Sequence, residues 1–209
     1  MQREPRRKPP LETLRTMSKG LSRSTALTLD KHHYLTCLAL PVPELDEPEE
    51  PGLLRSKWFP VVLHDPLIFK VIVLFSASHY AIRFNQVSQY AVTILSFKQQ
   101  ALAALNAAIS CSDGPVDDRI IAAAGKMASY EAIFGSEAQY HAHMGGVEKM
   151  LDGRGGISAL GLDGFLGRLL LFIDSNSAFL LKTRLRLTES SFPRRPPIVP
   201  NPGRFIGYA

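Results

Sequence analysis

The stretch from Asp65 to Phe84, DPLIFKVIVLFSASHYAIRF, leaves this chain few folds to choose from. An aspartate accepts from a free amide at a helix start, and a proline at the first turn has no N–H that needs a partner. Behind that start the residues are apolar on nearly every side, and a helix without a polar face has to be surrounded by other elements. The apolar run Leu67 to Ile82 contains Lys70 and His79 and falls short of the roughly 20 residues of a membrane span. The expected surroundings are therefore protein, and the rest of the chain has to supply them.

The neighbouring segments read as helices. Asn85 is placed to cap a second helix, Gln86 to Ser110, whose apolar face gathers Tyr90, Ile94, Leu95, Leu102, Leu105 and Ile109. Asp113-Gly114-Pro115 reads as a turn. A third helix, Val116 to Phe134, turns Ile120, Ala124, Met127 and Phe134 to one side, and Gly135 closes it. Ser136-Glu137-Ala138-Gln139 matches a capping box: the serine hydroxyl accepts from the Gln139 N–H, and the Gln139 side chain reaches back. That fourth helix is expected to leave through Asp152-Gly153, ahead of a tight turn at Gly155-Gly156. Gly145 and Gly146 inside it each cost about 1 kcal/mol relative to alanine, which predicts a close helix contact at Gly146. A last helix runs from about Gly164 to Thr183, interrupted by Arg168, Asp174 and Asn176. No β-branched alternation and no Asn-Gly hairpin signal appears. The expected fold is all-α, an array of about five antiparallel helices joined by short connections.

Composition bounds the remainder. The 209 residues are 45% hydrophobic, enough for one domain with a core. The net charge of +5 is unevenly spread. Arginines and lysines load residues 1–23, an acidic proline-rich linker follows up to Gly52, and 184–209 is rich in proline and arginine. Both ends are expected to be disordered, with the helical domain at 53–183. Two cysteines, Cys37 and Cys111, allow neither a disulfide framework nor a four-thiolate zinc site. No apolar run opens the chain, so an intracellular location is expected.

The candidate chemistry is thin. His141 and His143 are two apart and point to opposite sides of a helix. Glu137 and His141 share a face but lack a third ligand. No Gly-x-Ser-x-Gly elbow is present. Gly153-Arg154-Gly155-Gly156 fails the dinucleotide fingerprint at Ser158, and no strand precedes it. The residues therefore point to no enzyme, no metal and no cofactor. His143 is expected to be buried, with Glu131 as its acidic partner. An active site would require Glu131, His143 and Asp174 to meet in an open cleft.

His143-Met144-Gly145-Gly146, then Arg154-Gly155-Gly156-Ile157 and Leu160-Gly161, resemble the H-x-x-G…RGG…LG signature of the fungal-specific transcription factor domain. That is the helical regulatory region usually found behind a Zn2Cys6 DNA-binding cluster. Trp58-Phe59-Pro60, Asp65-Pro66-Leu67-Ile68-Phe69 and Ser76-Ala77-Ser78-His79 resemble its WFP…DPxLF…SASH opening, and Asp118 to Gly135 resembles its third helix. The resemblance covers about residues 55 to 182. Gly153 departs from it, standing where relatives carry an apolar residue, and relatives continue through further helices where this chain stops.

The resemblance implies a nuclear, transcription-regulator-like domain that works by protein–protein contact and lacks a DNA-binding module of its own. In that picture Trp58, Asp65, Pro66, His79, Glu131, His143, Gly146, Arg154, Gly155 and Gly156 are structural signature residues. The alternatives are a cytoplasmic helical scaffold and a non-functional fragment of a larger regulator. Partners are expected to be proteins or a second copy, engaged through an uncovered face of the last helix carrying Leu170, Ile173 and Leu181. Neither a membrane nor a specific nucleic-acid sequence is expected as a partner.

Overall fold

The computed structural model describes residues 41–47, 49–112, 114, 116–187 and 198–207. A π-helical turn, Leu54–Trp58, runs directly into α1 (Phe59–His64). Then follow α2 (Pro66–Arg83), α3 (Val87–Ser110), α4 (Asp118–Phe134) and α5 (Glu137–Arg154). A 3-10 turn at Ile157–Ala159 leads to α6 (Phe165–Leu181), and α7 (Pro202–Ile206) closes the described chain. Among the described residues there is no strand, apart from one bridge between Glu47 and Glu50. The fold is all-α, and α2 to α6 are the five long helices expected. The turn at Asp113-Gly114-Pro115 falls partly outside the described residues, and the ends 1–40, 188–197 and 208–209 lie wholly outside them.

The helix starts follow their local chemistry. The Asp65 carboxylate accepts from the Ile68 N–H at 2.8 Å, and Pro66 takes the first helical position. Asn85 corrects one expectation. It is not a cap; it sits left-handed at φ 53°, a conformation asparagine tolerates, and turns the chain between α2 and α3. The exit of α5 is a second correction. The helix continues through Gly153 to Arg154, and Gly155 at φ 86° ends it. The Gly156 N–H donates to the Leu151 carbonyl at 2.9 Å, which closes a Schellman-type end.

Helix α4 is the axis of the packing. It packs against α2, α5 and α6, and more lightly against α3. Ala122, Ala123, Ala124, Gly125 and Ala128 are all buried on it, and such small side chains let its neighbours approach. At Gly125 the approach is closest: a Cβ there would fall on the Leu170 side chain. Helix α2 has the length and apolarity of a membrane-crossing helix. Here Ile68, Val71, Ile72, Leu74 and Phe75 are all buried in protein. Each such burial is worth about 1.5–3 kcal/mol.

Helix α6 corrects a further expectation. Leu170 and Ile173 are each 1% exposed and Leu181 is half-buried, so the face expected to be open is covered within the chain. Part of the cover comes from segments outside the expected helical domain. Val42 and Leu45 on one side, and Ile198 and Phe205 on the other, all belong to the core. The Phe205 ring meets Phe172 edge-on at 5.9 Å. Arg204 binds both Glu44 carboxylate oxygens at 2.9 Å, and Arg168 of α6 donates to the Glu44 carbonyl at 2.7 Å. The two ends of the described chain thus meet over α6.

Helix α3 is the opposite case. Three of its 24 residues, Tyr90, Ala101 and Leu105, are buried. Leu95 and Ile109, expected on the core face, are 66% and 42% exposed.

Candidate functional site

Three polar clusters surround α5, and each begins with a local need of the backbone. At its start, the Ser136 hydroxyl accepts from the Gln139 N–H at 3.4 Å, the first half of the expected capping box. The second half is made differently. Glu131, at the end of α4, accepts from the Ser136 N–H at 3.4 Å, and Gln139 turns away to accept from Lys98 at 2.8 Å. Lys98 also pairs with Glu131 at 2.8 Å, with the Glu131 side chain fully buried and Lys98 21% exposed. The lysine lies 5.6 Å from the Tyr130 ring centre. Gly135 is required here, because a Cβ would strike the Glu131 carboxylate and stand 2.9 Å from its Cα.

His143 stands beside this cluster. Burial holds its imidazole below the ordinary 6.5; the Glu131 charge pulls the other way, and the Lys98 charge adds to the lowering. The carboxylate that the sequence paired with His143 is thus bound to Lys98, 33 residues upstream of it. His79 on α2 is 1% exposed, and burial, then the charge of Arg83, lowers its imidazole too.

The second cluster lies at the far end of α5. Arg154 donates to the Val116 carbonyl at 2.8 Å and pairs with Asp118 at 2.8 Å. The other Asp118 oxygen accepts from the Gly161 N–H at 2.7 Å, and a Cβ on Gly161 would stand 2.9 Å from that oxygen. Arg154, Gly155, Gly156 and Gly161 therefore form one joint, tying the end of α5 to the start of α4. The next loop stays left-handed through Leu162, Asp163 and Gly164, at φ 59°, 54° and 80°. Lys57 holds Asp163 at 3.3 Å. Gly146 has no share in such a joint. A Cβ there meets nothing within 4 Å, so the expected tight contact is absent.

The third cluster is built on Asp174 of α6, which is 1% exposed. It accepts from the Tyr140 hydroxyl at 3.2 Å and from the Arg186 and Leu187 amides at 2.8 Å each. Burial raises its carboxyl above the usual range, against the pull of those donors. Arg186 pairs with Glu148 at 2.5 Å and reaches the His141 ring at 3.4 Å. His141 also meets Glu137 at 3.4 Å.

Glu131 and His143 thus belong to one cluster and Asp174 to another, with buried Ala128, Tyr140 and Met144 forming a small apolar group beside them. A cavity of about 40 Å3 lies elsewhere, lined by Trp58, Phe75, Lys126, Phe172 and Phe205 among others, and none of the three reaches it. That volume suits water rather than a substrate. Among the described residues no group of three His, Cys, Asp or Glu side chains is placed to hold a metal ion. The first two clusters close helix ends, and the third ties the segment after α6 back onto Asp174.

Several of these contributors were not singled out in the sequence. Lys98 is the sole charge in the 24 residues of α3, and that isolation is a readable signal. Asp118, Tyr140 and Arg186 carry no comparable mark. Much of the exposed apolar surface lies on and beside α3, where Val92 is 82% exposed, Leu95 66% and Val87 49%; Phe179, Leu185 and Val199 are exposed elsewhere.

A family model described as a fungal specific transcription factor domain matches residues 32–201. The comparison with curated proteins gives no match, and neither does the comparison with solved structures.

Proposed function

The chain belongs to the fungal specific transcription factor domain family, and on that premise we propose a nuclear regulatory domain that works by contacting other proteins. The observation that carries this reading is the division of its surface chemistry. The polar signature residues Glu131, His79 and Arg154 are bound into the fold, whereas apolar side chains on α3 stand open. Contact through such a face needs no catalytic group. Two cysteines are too few for a Zn2Cys6 cluster. The basic residues of the chain would give electrostatic attraction to any duplex, falling steeply with salt, rather than base reading.

The test tethers the chain to an unrelated DNA-binding module upstream of a reporter. A changed reporter output is expected, and it should fade when Val92 and Leu95 are both replaced by serine. An unchanged output from a chain verified to be nuclear would overturn the proposal. Retention of the tagged chain in the cytoplasm would favour a helical scaffold instead.

A further inference from the structure

Val92, Leu95, Gln99, Leu102, Asn106 and Ile109 follow one another along α3 at alternating intervals of three and four. That 3.5-residue period keeps them on one flank, the a and d positions of a heptad repeat. Val92, Leu95, Gln99, Asn106 and Ile109 are exposed and Leu102 is half-buried, while Tyr90, Ala101 and Leu105 face the domain along the adjoining flank. Helix α3 therefore has two adjoining apolar strips; among the described residues the fold buries the first and engages the second through Leu102. We propose that the second strip pairs with the same strip of a second copy of this chain, as a short parallel coiled coil. The proposal deepens the reading of α3 as a contact surface by naming its occupant.

Three observations select a second copy. The first is charge. Lys98 is the one charged residue of α3, and it is tied to Glu131. Two copies meet along this face without like-charge repulsion, and a partner bearing a charged stripe finds nothing to match. The second is Asn106, with Gln99 before it, at a positions. A side-chain amide offers both a donor and an acceptor, so each is satisfied by its own copy across a two-fold axis and stranded against an apolar partner. An asparagine at an a position also sets a parallel, in-register dimer. The third is preorganisation. The helix is already formed by packing on α2 and α4, so association does not have to order it. Ser96, Ala103 and Ser110 flank the strip seven residues apart and leave room for close approach. The strip from Val92 to Ile109 spans about 27 Å at 1.5 Å per residue. Specific dimers begin at roughly 1,200 Å2 of buried surface, and a seam of this length lies near that threshold, so the dimer should dissociate on dilution.

Sedimentation of the full chain over a dilution series should show a monomer–dimer equilibrium. Leu95→Glu and Leu95→Lys should each weaken it on the order of tenfold or more, because a charge would enter the apolar seam. Leu95 is 66% exposed in the single chain, so both variants keep their fold, which circular dichroism verifies. Residue 95 is a d position and faces its own copy only in a parallel, in-register pair. Mixing the two variants should therefore restore the dimer. A wild-type monomer at every concentration, a dimer indifferent to both variants, or a mixture that stays monomeric would each overturn the pairing. A wild-type chain that is monomeric yet changes the tethered reporter overturns the pairing and leaves the regulatory role standing.

Discussion

Lys98 and Glu131 divide one task unequally: the carboxylate is wholly buried, and the ammonium screens it at 2.8 Å. Truncating one partner leaves the other's charge without compensation, which costs more than the pair contributes. Lys98→Ala should destabilise the chain by about 3 kcal/mol in urea unfolding, and adding Glu131→Leu should recover much of that loss. Little or no recovery would show that the lysine acts through its stem rather than its charge. Lys126 is a different case. Its ammonium lies 4.5 Å from the Phe75 ring centre, and burial pushes its pKa down from 10.5 to about 8. The unfolded lysine keeps its proton up to 10.5 while the folded one gives it up near 8. Stability therefore rises with pH across that window. Lys126→Met should raise the unfolding midpoint at pH 7, with the advantage closing by pH 10.5. A constant gap at all pH values would assign the gain to packing alone. His79 and His143, both lowered, slope in the same sense at lower pH: the unfolded histidines protonate first, so stability falls as pH drops through 6.5.

Among elements, α5 holds the most instructive contrast. Gly146 lies mid-helix with open space around its missing Cβ, so Gly146→Ala should stabilise by up to about 1 kcal/mol. Gly155 has equally open space but sits at φ 86°, where Gly155→Ala should destabilise by roughly 1 kcal/mol or more. Thermal melts of the two variants should move in opposite directions; a lower midpoint for Gly146→Ala would reveal a contact at that position. The pair also shows what a sequence discloses. Asp65-Pro66, Ser136 and the Gly155 turn were legible because their signals act within a few residues. The meaning of Gly146 was not, since a crowded glycine and an idle one look alike until the neighbouring helix is placed. Glu131 was recognised as important, but its partner stands 33 residues away, and the isolation of Lys98 on α3 marks that lysine without pointing to Glu131. On α3 the heptad strip and the core strip overlap in the sequence, and the packing on α2 and α4 separates them.

For the whole molecule, the clasp over α6 was the least legible feature. Val42 and Leu45 are single apolar residues between prolines and acidic residues, and Ile198 and Phe205 belong to two-residue apolar pairs, without the period that marks an amphipathic element. They nonetheless complete the core. Phe205 is 7% exposed, and Phe205→Ala should cost about 3 kcal/mol in chemical denaturation. A loss under 1 kcal/mol would mean that α7 rests on the domain without sealing it. The Glu44–Arg204 contact that accompanies this seal has a consequence for anything joined to the domain. Glu44 and Arg204, near the two ends of the described chain, are held together at one place. Modules carried on the two sides would share a high effective concentration, set by their linkers and not by the span of the helical array. The clasp would act as a tether point, and loosening it would change how often two such modules meet without altering either one.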